Sequence, residues 1–580
     1  VETKLTLQGK EITVPWTISD RVVTWASPSK GMARFKARAT LAMANGGYKG
    51  ASKSRRQTSQ WPTNGNDADA VVQRDLPTLR DRSHDAVRNQ PLAAGAINTV
   101  CTNVIGTGLR MKAQINRNVL NMSQDEADAW ESHTESEFLL WSESTECDAA
   151  RTLDFYAQQE LAYRSSKEGG DVLTLTPMIT RAGSPYDLKL KMIEGERLSN
   201  KNNAKDTASL VGGVHKGTNG DPTAYDIMRQ HPGNIYSFGK KEWDTIKAFG
   251  SLTGRRNVIH LYKMLRPGQT RGVPYLAPVT EMIKQLSDYT DNEVEAAVLS
   301  SAYTVFHKSK YNDGASSLDA LDPEKAAGTS SVPTDQLKIG GGMIIGIGSE
   351  DEIDFFDPKR PNSAFDPFIQ AMLRQIGVAL EIPFEILIKH FTASYSAARG
   401  ALLEAWKYFR KERAWFVSHY CKPVYEVWMD EAIAKGRVSA PGYFDNMSIR
   451  KAYLGTVWTG PPPGQIDPLK EGMSSKLLVD EDFSTRTEET MKLNGGDYEK
   501  NVPQRSKEEK MRRDAGLTIV PELNKEIGDL DDNNGSDEED ETKVANLTLM
   551  DMEGNVYSHI AGKGLKLISE TNDIKEGSTV

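Results

Sequence analysis

Cysteine is scarce. The 580-residue chain carries three, Cys101, Cys147 and Cys421, odd in number and far apart. That argues against a disulfide framework or a cysteine-rich zinc module and leaves buried thiols in a reducing compartment as the expectation. Long apolar runs are missing too. None approaches the roughly 18 residues needed to span a bilayer, and the opening VETKLTLQGKEITVPW alternates in polarity instead of building a secretory apolar core. Val1 rather than methionine heads the chain, which leaves room for an upstream or trimmed start. The nine histidines do not fall at metal-ligand spacing, so neither a metal nor a cofactor is expected. GVHKGTNG and GKGLK lack the GxxxxGK[ST] spacing that cradles nucleotide phosphates. No GxSxG elbow precedes a suitable acid and histidine. Scattered acid pairs, and DEID beginning at Asp351, are weak signals in a chain with 80 carboxylates. No catalytic residue is assigned, and the expectation is a protein that is not an enzyme.

What is present suits a large soluble protein: 38% hydrophobic and 26% charged residues, with length enough for several structural regions. The net charge of -9 is uneven. Residues 21–66 hold nine basic side chains and no acid, whereas residues 522–543 hold ten acids and two lysines and so carry -8 of the -9. The acidic run reads as a solvated segment. The basic run reads either the same way or as an arm, with Lys49, Lys53, Arg55 and Arg56, that meets DNA phosphates or an acidic shell surface.

Along the chain, residues 1–70 look like an arm whose periodicity is broken by glycine, serine and Pro62. Residues 67–108 are helical with an interruption at Pro91. SQDEADAWESHTESEFLLWS, residues 123–142, has a capping serine and first-turn acids. Residues 153–167 form another helix. From 171 to 262 strand signals dominate, as in DVLTLTPMI, YDLKLKMI and NVIHLYKM. Pro278 opens a helix running to about residue 308, whose second half is rich in small residues suited to close helix packing, within the chain or between chains. Residues 311–333 are a polar excursion, and GGGMIIGIGSEDEIDFF carries short strand signals. Later, 448–457 and 467–495 read as helical around the rigid GPPPG corner, and 503–513 as a charged exposed helix. Residues 544–580 regain strand character with a turn at 553–555.

The most informative order of parts lies in residues 361–435: a helix, a break at Pro383, a polar-aromatic loop, then a helix of about 58 Å in which Pro423 should produce a kink without ending it. This order resembles the portal proteins of tailed bacteriophages, in the lambda-type branch. Three further stretches carry the resemblance: RDLPTLRDRSHDAVRNQPLAAGAINTVCTNVIGTGL (74–109), RPGQTRGVPYLAPV (266–279) and YLGTVWTGPPPGQIDPLKE (453–471). No one of them is diagnostic; their order across residues 55–520 is.

The resemblance implies an α+β portal fold of wing, stem, clip and crown with long helices, assembling into a closed ring of twelve. Its parts map as a basic arm (1–70), wing (71–270), first stem helix (271–308), clip (309–362), second stem helix (363–385), tunnel loop (386–395), long spine helix (396–435), crown-like helices (436–520), and an acidic linker with a C-terminal segment (521–580). Lys389, His390, Phe391, Thr392 and Ser394 would line the DNA channel. Ala296, Ala297, Ala302, Arg399 and Trp406 would meet neighbouring subunits. The implied partners are further copies of the chain, double-stranded DNA, terminase, major capsid and scaffolding proteins, and head-completion, neck and tail proteins, with no membrane. The ring would assemble in the host cytoplasm and sit at one vertex of the virion. Two other readings remain: a DNA-acting enzyme such as a nuclease, against which the missing motifs count, and a capsid scaffold or adaptor without a channel.

Overall fold

In a computed structural model the described residues are 2–7, 10–15, 18–44, 51, 56–63, 65–235, 241–301, 305–308, 352–355, 365–391, 394–465, 467–517, 548–550, 556–560 and 564–569. They are a mixture of helix and sheet in two compact units, residues 1–498 and 499–580.

The first unit begins with an antiparallel hairpin, β1 (Glu2–Leu7) and β2 (Lys10–Pro15), followed by α1 (Ile18–Ala26) and α2 (Pro28–Ala44). Residues 18–44 of the expected arm are thus helical, ahead of the glycine, serine and proline breakers that begin at Gly46. Pro28 pre-sets the first turn, and the alanines, methionines and long basic side chains that follow are good helix formers, enough to carry the single Gly31.

Helices α3 (Ala68–Asn89) and α4 (Pro91–Val104) meet at Pro91, as the sequence predicts, with the extended Gln90 between them. Asp67 caps α3 by accepting from the Ala70 amide. β3 (Arg110–Ala113) and the single turn α5 (Arg117–Leu120) lead to α6 (Gln124–Ser142), which opens with a complete capping box between Ser123 and Glu126. α7 (Phe155–Glu168) follows.

The strand-rich part contains two antiparallel sheets. β4 (Asp171–Leu175) lies between β5 (Lys191–Glu194) and β10 (Val258–Tyr262). β6 (Leu210–Val211), β7 (Val214–Lys216), β8 (Pro222–Met228) and β9 (Trp243–Lys247) form a four-stranded meander. Leu173, Ile193 and Val258 from the first sheet share one apolar core with Val214, Tyr225 and Ile227 from the second.

The predicted helix from Pro278 is α8 (Thr280–Ser301), and it ends earlier than expected. Residues 305–308 form β11 (Val305–Lys308), paired with β12 (Glu352–Phe355). The valine, phenylalanine and histidine of that segment suit a pleated surface better than a helix end. Between these strands, 309–351 lie outside the described residues, and with them most of the expected clip.

α9 (Phe365–Ala379) carries Pro367 in its first turn, where the lost amide hydrogen has no partner to lose. The chain turns at Glu381, whose φ is +54°. Pro383 then starts the short α10 (Phe384–Ile388), which occupies the beginning of the segment expected to be loop. α11 (Tyr395–Phe416) and α12 (Lys422–Ala434) are joined by a π-helical turn, Val417–Cys421. The helix thus passes Pro423 without ending. The wider turn, with the Lys422 amide reaching back to the Val417 carbonyl, absorbs the place where proline cannot donate.

Beyond it, α13 (Met447–Tyr453) stops short of the predicted 457, because Thr456–Thr459 is β13, paired with β3. α14 (Pro468–Asp480) and α15 (Arg486–Asn494) replace the single helix expected over 467–495, with a break at Asp482, whose φ is +58°.

The main core joins α4, α6, α7, α11 and α12. Phe138, 1% exposed, is its centre. Its ring meets Trp428 edge-on at 5.0 Å and also touches Trp141, Phe155, Tyr425 and Trp458.

In the second unit, α16 (Tyr498–Asp514, begun at the last residue of the first) buries no side chain, in keeping with the charged exposed helix predicted there. β14 (Thr548–Met550), β15 (Val556–Ile560) and β16 (Gly564–Ser569) form an antiparallel meander. The expected turn at 553–555 lies outside the described residues. No helix among the described residues is long and apolar enough to cross a membrane.

Candidate functional site: a loop at a helix junction and its ionic supports

The loop between α10 and α11 is held at both ends. Lys389 adopts the left-handed conformation that ends α10, and the His390 amide donates to the Glu385 carbonyl. At the other end the Ala398 amide donates to the Ser394 carbonyl. Lys389, His390 and Ser394 are exposed, and Phe391 is 55% exposed. Thr392 lies outside the described residues. An exposed phenylalanine between a lysine–histidine pair and a serine offers cationic and hydroxyl contacts plus one apolar face.

Farther along α11, roughly 26 Å from its start at the usual rise, the helix is fastened by a buried ionic group. Glu412 of α11 is completely buried. It accepts from Lys167 of α7 at 2.5 Å and from Lys263, which follows β10. Burial pushes the Glu412 carboxyl upward, but the two ammonium groups outweigh it and leave the acid below its ordinary value. Tyr163 donates to the same carboxylate at 3.4 Å, and Tyr275 donates its hydroxyl to the Leu380 carbonyl at the end of α9. On the surface Lys411 pairs with Glu381 at 3.0 Å. α11 is thus tied to α7 and to the residue after β10, and the end of α9 to Tyr275.

A second group lies deeper. Asp171, at the start of β4, is bonded by Arg80 of α3, by Arg271 at 2.5 Å and by His260 of β10 at 3.2 Å. Arg271 also donates to the carbonyls of Gly195, Leu198 and Gly212. Burial raises the Asp171 carboxyl, yet Arg271 and Arg80 overcome it and hold it well below the usual carboxylate range. Space here is tight: a Cβ on Gly272 would stand 1.9 Å from the Gly170 carbonyl oxygen, so this approach needs glycine. Beside the group, His84 is held by Glu168 and Glu196, which raise its pKa to about 10.

Arg413, one residue after Glu412, pairs with no carboxylate among the described residues. It donates to the carbonyls of Asn103 and Val104 at the end of α4 and to Pro461 in the GPPPG corner. A cation on the last carbonyls of a helix satisfies orphan acceptors and opposes the dipole.

These contacts explain the three stretches that carry the family resemblance. Arg80 and His84 lie in the first and Arg271 in the second, and they meet around Asp171. The third, through β13, pairs with β3, the strand that follows directly on the first. Sequence reasoning did not single out Asp171, Arg271, Lys167, Lys263 or Glu412. Glu412 left a trace: it stands between Phe409 and Phe416 at helical spacing, an acid inside an apolar stripe.

The remaining predicted residues are scattered. Ala296 is half-buried and Ala297 exposed on α8, and Arg399 is half-buried on α11. Trp406 is 3% exposed within the chain's own core, so it is not free to face a neighbouring subunit from this position. Arg56 is exposed, and Ala302, Lys49, Lys53 and Arg55 lie outside the described residues.

Among the described residues one group could hold a metal ion: Glu194, Glu196 and His231, whose ligand atoms lie within 4.8 Å of one another. The chemistry argues against it. The His231 Nδ1 accepts from the Gly233 amide at 3.0 Å, which puts the proton of the neutral ring on Nε2, the atom facing Glu194. Glu196 is already held by His84 at 3.1 Å. The three thiols are buried, and burial pushes Cys101 up to about 12, far from a reactive thiolate.

Residues 54–413 match the family model described as phage portal protein, lambda family. The chain is 25% identical over 483 residues to portal protein B of Escherichia phage lambda, covering 80% of this chain and 89% of that protein. It is 25% identical over 481 residues to the portal protein of Escherichia phage N15, with the same coverage. Among solved structures, a chain in the neck of a native GTA particle with C12 symmetry aligns over 72% of this chain and 94% of its own length, with 12% identity and a TM-score of 0.38.

Proposed function

The chain belongs to the lambda family of phage portal proteins, and from that premise we propose that it forms a closed ring at one capsid vertex through which double-stranded DNA enters and leaves the head. The observation that carries the reading is the family match across residues 54–413. That span includes α8, α9, the 389–394 loop and most of α11. On this reading α8 and α9 are the stem, residues 386–395 the tunnel loop, α11 and α12 the spine, α13–α15 a crown-like region, and 309–362 the clip. Twelve copies close the ring under cyclic symmetry.

The ring is structural rather than catalytic. Terminase supplies the energy for packaging, and head-completion, neck and tail proteins later take its place at the clip. Capsid and scaffolding proteins hold the ring in the virion, after assembly in the host cytoplasm. Lys389, His390, Phe391, Thr392 and Ser394 face the channel, touching phosphates without reading bases. Ala296, Ala297, Ala302 and Arg399 supply subunit contacts. Lys49, Lys53, Arg55 and Arg56 meet DNA or the shell away from the sliding path.

Negative-stain imaging of the purified full chain tests the reading. Rings with a central hole support it; only monomers or solid particles, across a range of protein concentrations, overturn it. A conduit must also let go of its cargo, since every phosphate neutralised by a fixed cation adds salt-sensitive affinity. DNA binding by the ring should therefore be weak, independent of sequence and lost at moderate salt. Tight binding that survives high salt would identify a DNA-recognition protein instead.

A further inference from the structure

A cleft of about 390 Å³ opens between β7, β8, β10 and the loop that follows β10, well away from the helix junction in sequence and on different elements. Its polar wall includes Lys216, Tyr225, Arg256, His260 and Tyr262, and among the described residues no aspartate or glutamate lines it. Three of these groups already have work within the fold. Lys216 is paired with Asp69 at 3.0 Å, His260 is bonded to Asp171, and Tyr262 donates to the Gln269 carbonyl at 3.1 Å.

Two do not. Tyr225 is 3% exposed as a residue, but its hydroxyl oxygen is not one of the buried polar atoms left without a partner, and it lies open to the cleft it lines. The Arg256 guanidinium is half-buried and has no carboxylate partner among them either; it rests 4.9 Å above the Phe249 ring. Burial raises the Tyr225 hydroxyl's pKa, Tyr262 adds to the rise, and Arg256 opposes it, so at neutral pH the group is a proton donor with the guanidinium near enough to act on it. A hydroxyl and a guanidinium with no carboxylate bonded to either among the described residues leave donors at the same small cleft free to meet a ligand. Both are donors, and no acid competes for them.

We propose that this cleft binds a small oxyanion, a phosphate or carboxylate group on a ligand no larger than a short chain or single ring, held by Arg256 and Tyr225. A guanidinium matches both anions, because its fixed fork can donate two parallel hydrogen bonds. The Tyr225 hydroxyl supplies the further donor. The proposal is independent of the ring reading, since it uses none of the residues assigned to the channel or to subunit contacts.

Thermal unfolding of the full chain with increasing inorganic phosphate tests one source of the oxyanion, and succinate tests the other. A ligand that binds only the folded chain raises its melting temperature in a saturable way. Excluded salts also raise it, but without saturation and equally in every variant. Tyr225→Phe is the cleaner variant, because it removes only a hydroxyl that nothing in the chain uses. It should fold and melt like the parent without anion and weaken binding several-fold. Arg256→Gln should weaken it about tenfold or more, the usual effect of losing a charge-assisted pair. Saturation with phosphate alone assigns a phosphate ligand, and with succinate alone a carboxylate. If neither anion saturates below tens of millimolar, or if both variants respond as the parent does, the proposal is wrong.

Discussion

α12 and α9 are helices of similar length in opposite situations. α12 buries seven of its thirteen residues, including Trp428, inside the chain's own aromatic core. α9 buries two of its fifteen, Ile376 and Gly377, and leaves Phe368 48% and Val378 81% exposed. α8 repeats the pattern of α9, with Val294 64% and Val298 62% exposed. Most helical stability in proteins comes from packing an apolar face. Among the described residues the chain provides that packing for α12 and leaves Val294, Val298, Phe368 and Val378 of α8 and α9 exposed. The body around α12 is therefore complete in a single subunit. The two proposed stem helices present the surface that a ring would cover.

The sharpest way to break this contrast is to attack the body. Asp171→Ala would leave Arg80 and Arg271 buried without their acid, and Glu412→Ala would strand Lys167. Removing one partner of a buried pair typically costs about 3–5 kcal/mol, so either variant should lose most of its resistance to urea. A loss below about 1 kcal/mol would mean that water enters these groups and that they do not fasten the body. Phe138→Ala removes the hub of the aromatic core and should cost roughly 3–5 kcal/mol as well. Like the ionic variants, it should do so whether or not rings form.

The stem should answer differently. Val378→Asp and Ala297→Trp change exposed positions, so the melting of an isolated subunit should stay within about 0.5 kcal/mol of the parent. In the ring Ala297→Trp would overpack a close contact, at roughly 1–3 kcal/mol for each subunit. Size-exclusion chromatography and imaging would then show fewer rings from a chain that is equally well folded. Full ring formation by both variants would remove α8 and α9 from the subunit interface.

How much of this was legible beforehand depends on whether the cause is local. The capping serine and acids of α6, the break at Pro91, the persistence of the long helix past Pro423 and the presence, though not the ends, of β4 and β10 all follow from residues adjacent in sequence. So does the turn after α9, although Glu381 in the left-handed region and the brief α10 shortened the expected loop. What escaped needs partners distant in sequence. TVWT reads as a helix end until β3 is there to pair with it. Asp171 is an ordinary first residue of a strand until Arg80, His260 and Arg271 converge on it, and no residue beside it in sequence names those partners. The candidate loop was placed by the order of helices around it. The buried group at Glu412 was not, because an acid within an apolar stripe names no partner.

The smallest expected effect concerns His84, at the edge of the Asp171 group. Glu168 and Glu196 raise its pKa to about 10 from an ordinary value near 6.5, with Arg80 3.9 Å from Glu196 on the far side. A histidine whose folded pKa is raised binds its proton more tightly in the folded chain than in the unfolded one. Its contribution is therefore fully present below about pH 6.5 and declines as pH rises toward 10. The side chain is 33% exposed, so screening should keep the contribution below about 1 kcal/mol. His84→Gln keeps a donor but removes the charge. Urea unfolding of parent and variant at pH 6 should differ by this small amount, and at pH 10.5 the two curves should merge. Comparing the two proteins at each pH cancels the titration of lysines and tyrosines common to both. A gap that widens with pH would show that the two glutamates do not hold a protonated ring, and that the edge of the strand-rich body is kept by Arg80 alone.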